Sequence, residues 1–197
     1  MQSVVWHPGS GRSYTGMVSG GTLHTGDEVV VLPAGTRTRI ASLRTFDGPL
    51  EQAVARMSVT VQLEDDLDIT RGDMLATAYG APEVVGELEA TLCWFGPSPV
   101  KAGQQFRIKH TTRVTQARVV CVEARLDIGS LELEAAGSLA DNEIGVARLA
   151  VATPLAADPY RVNRVTGSFV VIDEGTSATV AAGMVGSPVF ASDADPA

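Results

Sequence analysis

The sequence is poor in the residues that most side-chain catalysis uses. Its three histidines, His7, His24 and His110, lie far apart, and only two cysteines, Cys93 and Cys121, are present. No Cys/His spacing suits zinc, and no Ser/His/Asp or Cys/His arrangement can be assembled. Both cysteines sit in apolar runs (Leu92-Cys93-Trp94-Phe95 and Val119-Val120-Cys121-Val122), which predicts buried free thiols in a reducing cytosol rather than a disulfide. Aromatic residues make up 5% of the chain, and 15 basic against 23 acidic residues leave a net charge of −8. Residues 1–80 hold 6 basic and 9 acidic groups and residues 81–186 hold 9 and 12, so no segment is basic enough for phosphate-driven nucleic-acid binding. No apolar run approaches the ~20 residues a membrane-spanning helix needs. The first eight residues carry neither a basic nor a long apolar segment, so no secretory leader is read there and a cytoplasmic protein is expected.

Long helices are excluded too. Glycine and proline number 20 and 10, and the longest stretch free of both is residues 104–128, which is crowded with Thr111, Thr112, Val114, Thr115, Val119, Val120 and Val122. What is present is period-two alternation. Val59, Val61 and Leu63 alternate with Ser58, Thr60 and Gln62; Phe106 and Ile108 alternate with Arg107 and Lys109; Ala147, Leu149 and Val151 recur likewise. Continuous runs, Val29-Val30-Val31-Leu32 and Phe169-Val170-Val171-Ile172, predict strands covered on both faces. Turn signals separate these segments: Thr25-Gly26-Asp27, Pro33-Ala34-Gly35, Asp47-Gly48-Pro49 and Asp173-Glu174-Gly175. Short helical turns are expected only near residues 50–56 and 130–136. The clearest boundary is Tyr79-Gly80-Ala81-Pro82. The resulting expectation is an all-β chain of two tandem antiparallel β-barrels over residues 1–79 and 84–186, followed by a disordered tail or linker at 187–197.

Motifs that could carry chemistry read more simply as structure. The segment from Gly9 to Gly16 has glycines but no Lys-Ser/Thr ending and runs into strand-like Tyr14-Thr15-Gly16-Met17-Val18, so a hairpin is favoured over a nucleotide cradle. Glu64-Asp65-Asp66-Leu67-Asp68 could offer oxygen ligands to a hard cation, but it lacks an EF-hand's glycine and terminal glutamate and reads as a solvated turn. Arg71-Gly72-Asp73 reads as a turn tied by its aspartate. Arg107, Lys109 and Arg113 predict a basic stripe, either solvated or facing an acidic partner or a phosphate.

Longer motifs carry a resemblance. Thr22-Leu23-His24-Thr25-Gly26-Asp27 leading into Glu28-Val29-Val30-Val31-Leu32-Pro33, and then Asp68-Ile69-Thr70-Arg71-Gly72-Asp73-Met74-Leu75, resemble the second domain of translational GTPases such as elongation factor Tu. Arg44-Thr45-Phe46-Asp47-Gly48, Asn142-Glu143-Ile144-Gly145, Asp158-Pro159-Tyr160, Asn163-Arg164, Thr166-Gly167-Ser168-Phe169 and Ala181-Ala182-Gly183-Met184 narrow it. In order and spacing they resemble the large subunit of bacterial sulfate adenylyltransferase, the CysN type, from Gln2 to Val185. The family's Walker loop, Asp-x-x-Gly switch and Asn-Lys-x-Asp guanine reader have no counterpart in these residues. The resemblance therefore implies the family's two barrel domains without its GTPase domain, and no GTP binding or hydrolysis by this chain alone.

It further implies a non-catalytic module of sulfate assimilation, with no catalytic, cofactor or metal residues of its own. GTP, ATP and magnesium are expected only in the complete complex, where GTP hydrolysis drives adenylylsulfate formation from ATP and sulfate. The implied partners are a GTPase domain, supplied by another chain or lost by truncation, and the small catalytic subunit; neither nucleic acid nor membrane is expected. A translation-factor-like RNA-binding module, and a stand-alone barrel with an unrecognised ligand or activity, are the alternatives. Within residues 158–167, Tyr160, Asn163 and Arg164 are the candidate interface residues: they either brace the loop or face a partner.

Overall fold

The computed structural model describes residues 1–7 and 11–186, among which there is no helix. The chain divides into two compact units: Met1–Val84 with Thr111–Arg113, and Val85–His110 with the residues from Val114 on. The tail reading at 187–197 concerns residues outside those described.

The first unit holds β1 (Ser3–His7), β2 (Gly11–Met17), β3 (Thr22–His24), β4 (Glu28–Leu32), β5 (Thr36–Thr45), β6 (Gly48–Leu50), β7 (Gln52–Val54), β8 (Ser58–Leu63) and β9 (Met74–Thr77). Its main sheet runs β1-β2-β8-β5-β4-β9 with β6 added to β5, and β3 and β7 form a separate ribbon. Alternate residues from these strands meet inside: Val29, Ile40, Leu43, Ala53, Val59 and Val61 form one buried cluster. Tyr14, Val31 and Ile69 form another, where the buried Tyr14 satisfies its hydroxyl by donating to the Leu67 carbonyl at 2.6 Å.

The strands that follow are β10 (Glu83–Trp94), β11 (Val100–Lys101), β12 (Gln105–His110), β13 (Arg113–Leu126), β14 (Leu133–Ala135), β15 (Ser138–Leu139), β16 (Ile144–Ala157), β17 (Ser168–Ile172) and β18 (Thr179–Val185). The order β12-β17-β18-β10-β16-β13 returns to β12, closing a six-stranded barrel with β14 appended to β13. Closure sends one side chain in two inward. Leu88, Leu92, Trp94, Phe106, Ile108, Val119, Leu149, Phe169 and Val171 fill the interior. Trp94 and Phe106 meet edge to face at 5.4 Å, and Trp94 Nε1 donates to Ser98 O at 2.9 Å.

Three local expectations fail for physical reasons. The two helical turns are strands instead: β6 and β7 occupy one region and β14 the other, because pairing with β5, β3 and β13 outweighs local propensity. The continuous apolar runs are not covered on both faces. Val30, Val170 and Ile172 are half-buried where Val29, Val31, Phe169 and Val171 are buried. The cysteines are free but only half-buried. Cys93 takes the outward position between inward Leu92 and Trp94, and Cys121 follows a register shift in β13.

One packing detail constrains the barrel wall. Gly183 on β18 lies opposite Phe169 on β17, and a Cβ there would overlap the Phe169 ring. Gly183→Ala is expected to lower the unfolding free energy by about 1–3 kcal/mol in urea titration. Combining it with Phe169→Leu should recover part of that loss, since the obstructing ring is then gone.

Candidate functional site

The candidate interface residues fall in the connection between β16 and β17. Pro159 O accepts from Val162 N at 2.8 Å and from Asn163 N at 3.1 Å, starting a tight turn. The Asn163 side chain closes it, Oδ1 accepting from Val165 N at 3.0 Å and Thr166 N at 3.4 Å. Asp158 Oδ2 accepts from Thr166 Oγ1 at 2.5 Å, tying the two ends of the loop. Beneath it the buried His110 places Nε2 2.6 Å from the Thr166 carbonyl; a carbonyl only accepts, so Nε2 carries the proton. Tyr160 N donates to Val185 O at 2.9 Å and Val185 N to Gly167 O at 2.8 Å, joining the loop to β18. Gly167 is obligatory here: a Cβ would lie 2.5 Å from Tyr160 Cα and 2.7 Å from Asn163 O.

This bracing determines what the loop displays. Val162 is 71% exposed and Val165 39%, although both are apolar. Arg164 is exposed, with its guanidinium 5.9 Å from the Tyr160 ring centroid, a cation–π contact that orients both groups. The three candidates thus share one loop but not one task. Asn163 braces, Tyr160 supplies backbone anchorage and a ring, and Arg164 points outward. Sequence reasoning missed Val162 and Val165, because a valine beside a strand reads as core until the turn geometry is known.

The Asn142-Glu143-Ile144-Gly145 motif is structural at Asn142, Glu143 and Gly145. Asn142 takes the left-handed conformation at φ 62°, and a Cβ on Gly145 would run into the Ala124 carbonyl. Glu143 accepts from Ala140 N at 2.7 Å and from Arg125 Nη1 at 3.1 Å, while Arg125 Nη2 also reaches Glu134 at 2.9 Å. The Ala140 amide, and then Arg125, hold the Glu143 carboxyl below the usual range.

The remaining motifs resolve similarly. The carboxylates at 64–68 serve protein partners: Arg12 lies 3.4 Å from Asp66 and 3.6 Å from Asp68, and Thr38 donates to Asp65 at 2.8 Å. No cluster of three metal-ligating side chains occurs among the described residues. Asp73 accepts from Thr70 N at 2.7 Å around Gly72, as the turn reading expects. Arg113 pairs with Asp73 within the first unit, so the basic stripe stops at Lys109. Residues 11–16 of the glycine-rich segment lie in β2, while Gly9 and Ser10 lie outside the described residues.

Residues 87–186 match the family model for the GTP-eEF1A C-terminal domain-like family, half of the chain. The chain belongs to that family. Residues 11–76 match elongation factor Tu domain 2. Among curated relatives, the bifunctional enzyme CysN/CysC of Mycobacterium tuberculosis is 44% identical over 88% of the chain and 29% of that protein. Sulfate adenylyltransferase subunit 1 of Shewanella woodyi is 39% identical over 90% of the chain and 38% of that protein. The chain therefore spans about a third of the curated relatives it matches, and corresponds to the elongation-factor-like module of the sulfate adenylyltransferase large subunit. A crystal structure of sup35 complexed with GDP superposes with a TM-score of 0.83 at 17% identity, covering 95% of the chain and 46% of that one, which establishes the shared fold.

Glu143 supplies a pH test. A carboxylate lowered in the folded state stabilises above its unfolded pKa, and that contribution disappears as pH falls through the folded value. Glu143→Gln is expected to lower the melting temperature at pH 7, and the gap to wild type should close as pH falls through and below the lowered folded-state value. A thermal melt series across acid pH reads both limbs.

Proposed function

We propose that this chain is a non-catalytic docking platform of a sulfate adenylyltransferase large subunit, presenting the 158–167 loop to the small catalytic subunit and seating a GTPase domain. The observation that carries this reading is the loop itself. Hydrogen bonds fix its backbone at both ends, yet Val162, Val165 and Arg164 are exposed, with the half-buried Tyr160 ring beside the Arg164 guanidinium. A pre-ordered loop loses little entropy on binding, and tyrosine and arginine are favoured interface anchors. In this reading GTP, ATP and magnesium act in the complete complex, and the barrels transmit nucleotide-dependent movement as rigid bodies.

Two substitutions separate bracing from docking. Arg164→Ala should leave the melting temperature unchanged while weakening small-subunit binding by about 2 kcal/mol in calorimetric titration. Asn163→Ala should instead destabilise the fold by about 1–3 kcal/mol, since two loop amides lose their acceptor. Early melting of Arg164→Ala with unchanged binding would reverse the assignment. The purified chain alone, incubated with GTP, ATP, sulfate and magnesium, is expected to release neither phosphate nor pyrophosphate.

A further inference from the structure

The outer wall of the second unit carries a surface that the docking loop does not use. β12 ends at His110 and β13 begins at Arg113, so a two-residue turn joins them and sets their register. That register places Lys109 beside Val114, Arg107 beside Gln116 and Gln105 beside Arg118. On the far side of β13, Arg118 lies opposite Ala150 of β16. On the far side of β12, Arg107 lies opposite Ile172 and Lys109 opposite Val170 of β17. Inward Phe106, Ile108, Thr115 and Ala117 are buried, which turns Arg107, Lys109 and Arg118 outward together.

These cations are unmatched. Arg107, Lys109 and Arg118 form no ion pair among the described residues, whereas Arg125 and Arg148 on the same unit are each held by two carboxylates. Arg107 donates only to Ser177 Oγ at 3.1 Å, and its buried Nε has no hydrogen-bond partner among the described residues. The turn after β17 contributes Asp173 and Glu174, but the Asp173 carboxylate is engaged by Thr176 N and Oγ1, both at 2.7 Å. Beside Arg118 the wall is low. Ala150 and Ala152 floor a shallow open depression also lined by Gln105, Gln116 and Arg118.

We infer that the outer β12–β13–β16 wall binds an acidic extended segment of a partner protein. Local charge complementarity selects this occupant: three cations that form no ion pair among the described residues stand on one wall with two side-chain amides. None of the outward residues Gln105, Arg107, Lys109, Gln116, Arg118, Ala150 and Ala152 is aromatic, so the wall offers a nucleic acid no ring on which to stack its bases, and the depression is too open to enclose a small ligand. Glutamates of the segment pair with Lys109, Arg107 and Arg118, its backbone meets Gln105 and Gln116, and the alanine floor admits close approach. This surface is independent of the 158–167 loop, so either assignment can fail alone.

The test uses the full chain and a fluorescent ten-residue polyglutamate peptide, read by anisotropy at low salt. Lys109→Gln with Arg118→Gln should weaken binding about tenfold and flatten its salt dependence. Arg37→Gln with Arg44→Gln, which removes equal charge from the first unit, should change it less than about twofold. The sequence contains only two lysines, Lys101 and Lys109, so a second readout needs no variant. The peptide should protect Lys109 but not Lys101 of the wild-type chain from acetylation. Equal weakening by both variant pairs, equal protection of both lysines, or tighter binding of a labelled ten-nucleotide single strand or of inorganic phosphate would overturn the inference.

Discussion

Closure of β12 onto both β13 and β17 is the constraint on which the rest of the second unit depends. A closed ring has no free edge, and each strand must present every second side chain inward. Those inward positions are filled by large aliphatics and by the Trp94–Phe106 pair. Charged side chains are thereby pushed outward or onto connections. The 158–167 loop is held in place because β17 and β18, which receive it, are ring members. The wall of Arg107, Lys109 and Arg118 faces outward for the same reason.

The turns show how much of this was written locally. Asp27 accepts from His24 N and Asp73 from Thr70 N, both at 2.7 Å, and Gln104 accepts from Lys101 N at the same distance. Each time the acceptor follows a glycine of positive φ: Gly26, Gly72 and Gly103. The device is four residues long, so it is visible in any stretch of sequence and marks strand entry in both units. Alternation was legible for the same reason, since Val59, Val61, Phe106 and Ile108 are all buried.

What was illegible depended on long-range pairing. β6, β7 and β14 are three residues each, too short for a period, and each becomes a strand because a distant partner is already there. The bulges in β13 that turn Cys121 partly outward come from its ladder with β16 rather than from its neighbours in sequence. At the candidate site, composition marked out residues 158–167, but the split between bracing Asn163 and outward Arg164 required the hydrogen bonds. The same holds for Val162 and Val165, whose exposure contradicts their chemistry until the loop is built.

β14 has a different standing from its neighbours. It is bonded to β13 alone and lies outside the ring, through three residue pairs and the Arg125–Glu134 contact. All three of its residues are exposed. Detaching it leaves every barrel ladder intact, so its opening is separable from global unfolding. The amides of residues 133–135 therefore exchange with solvent through a local event, at a rate set by that hairpin and insensitive to changes in the barrel core.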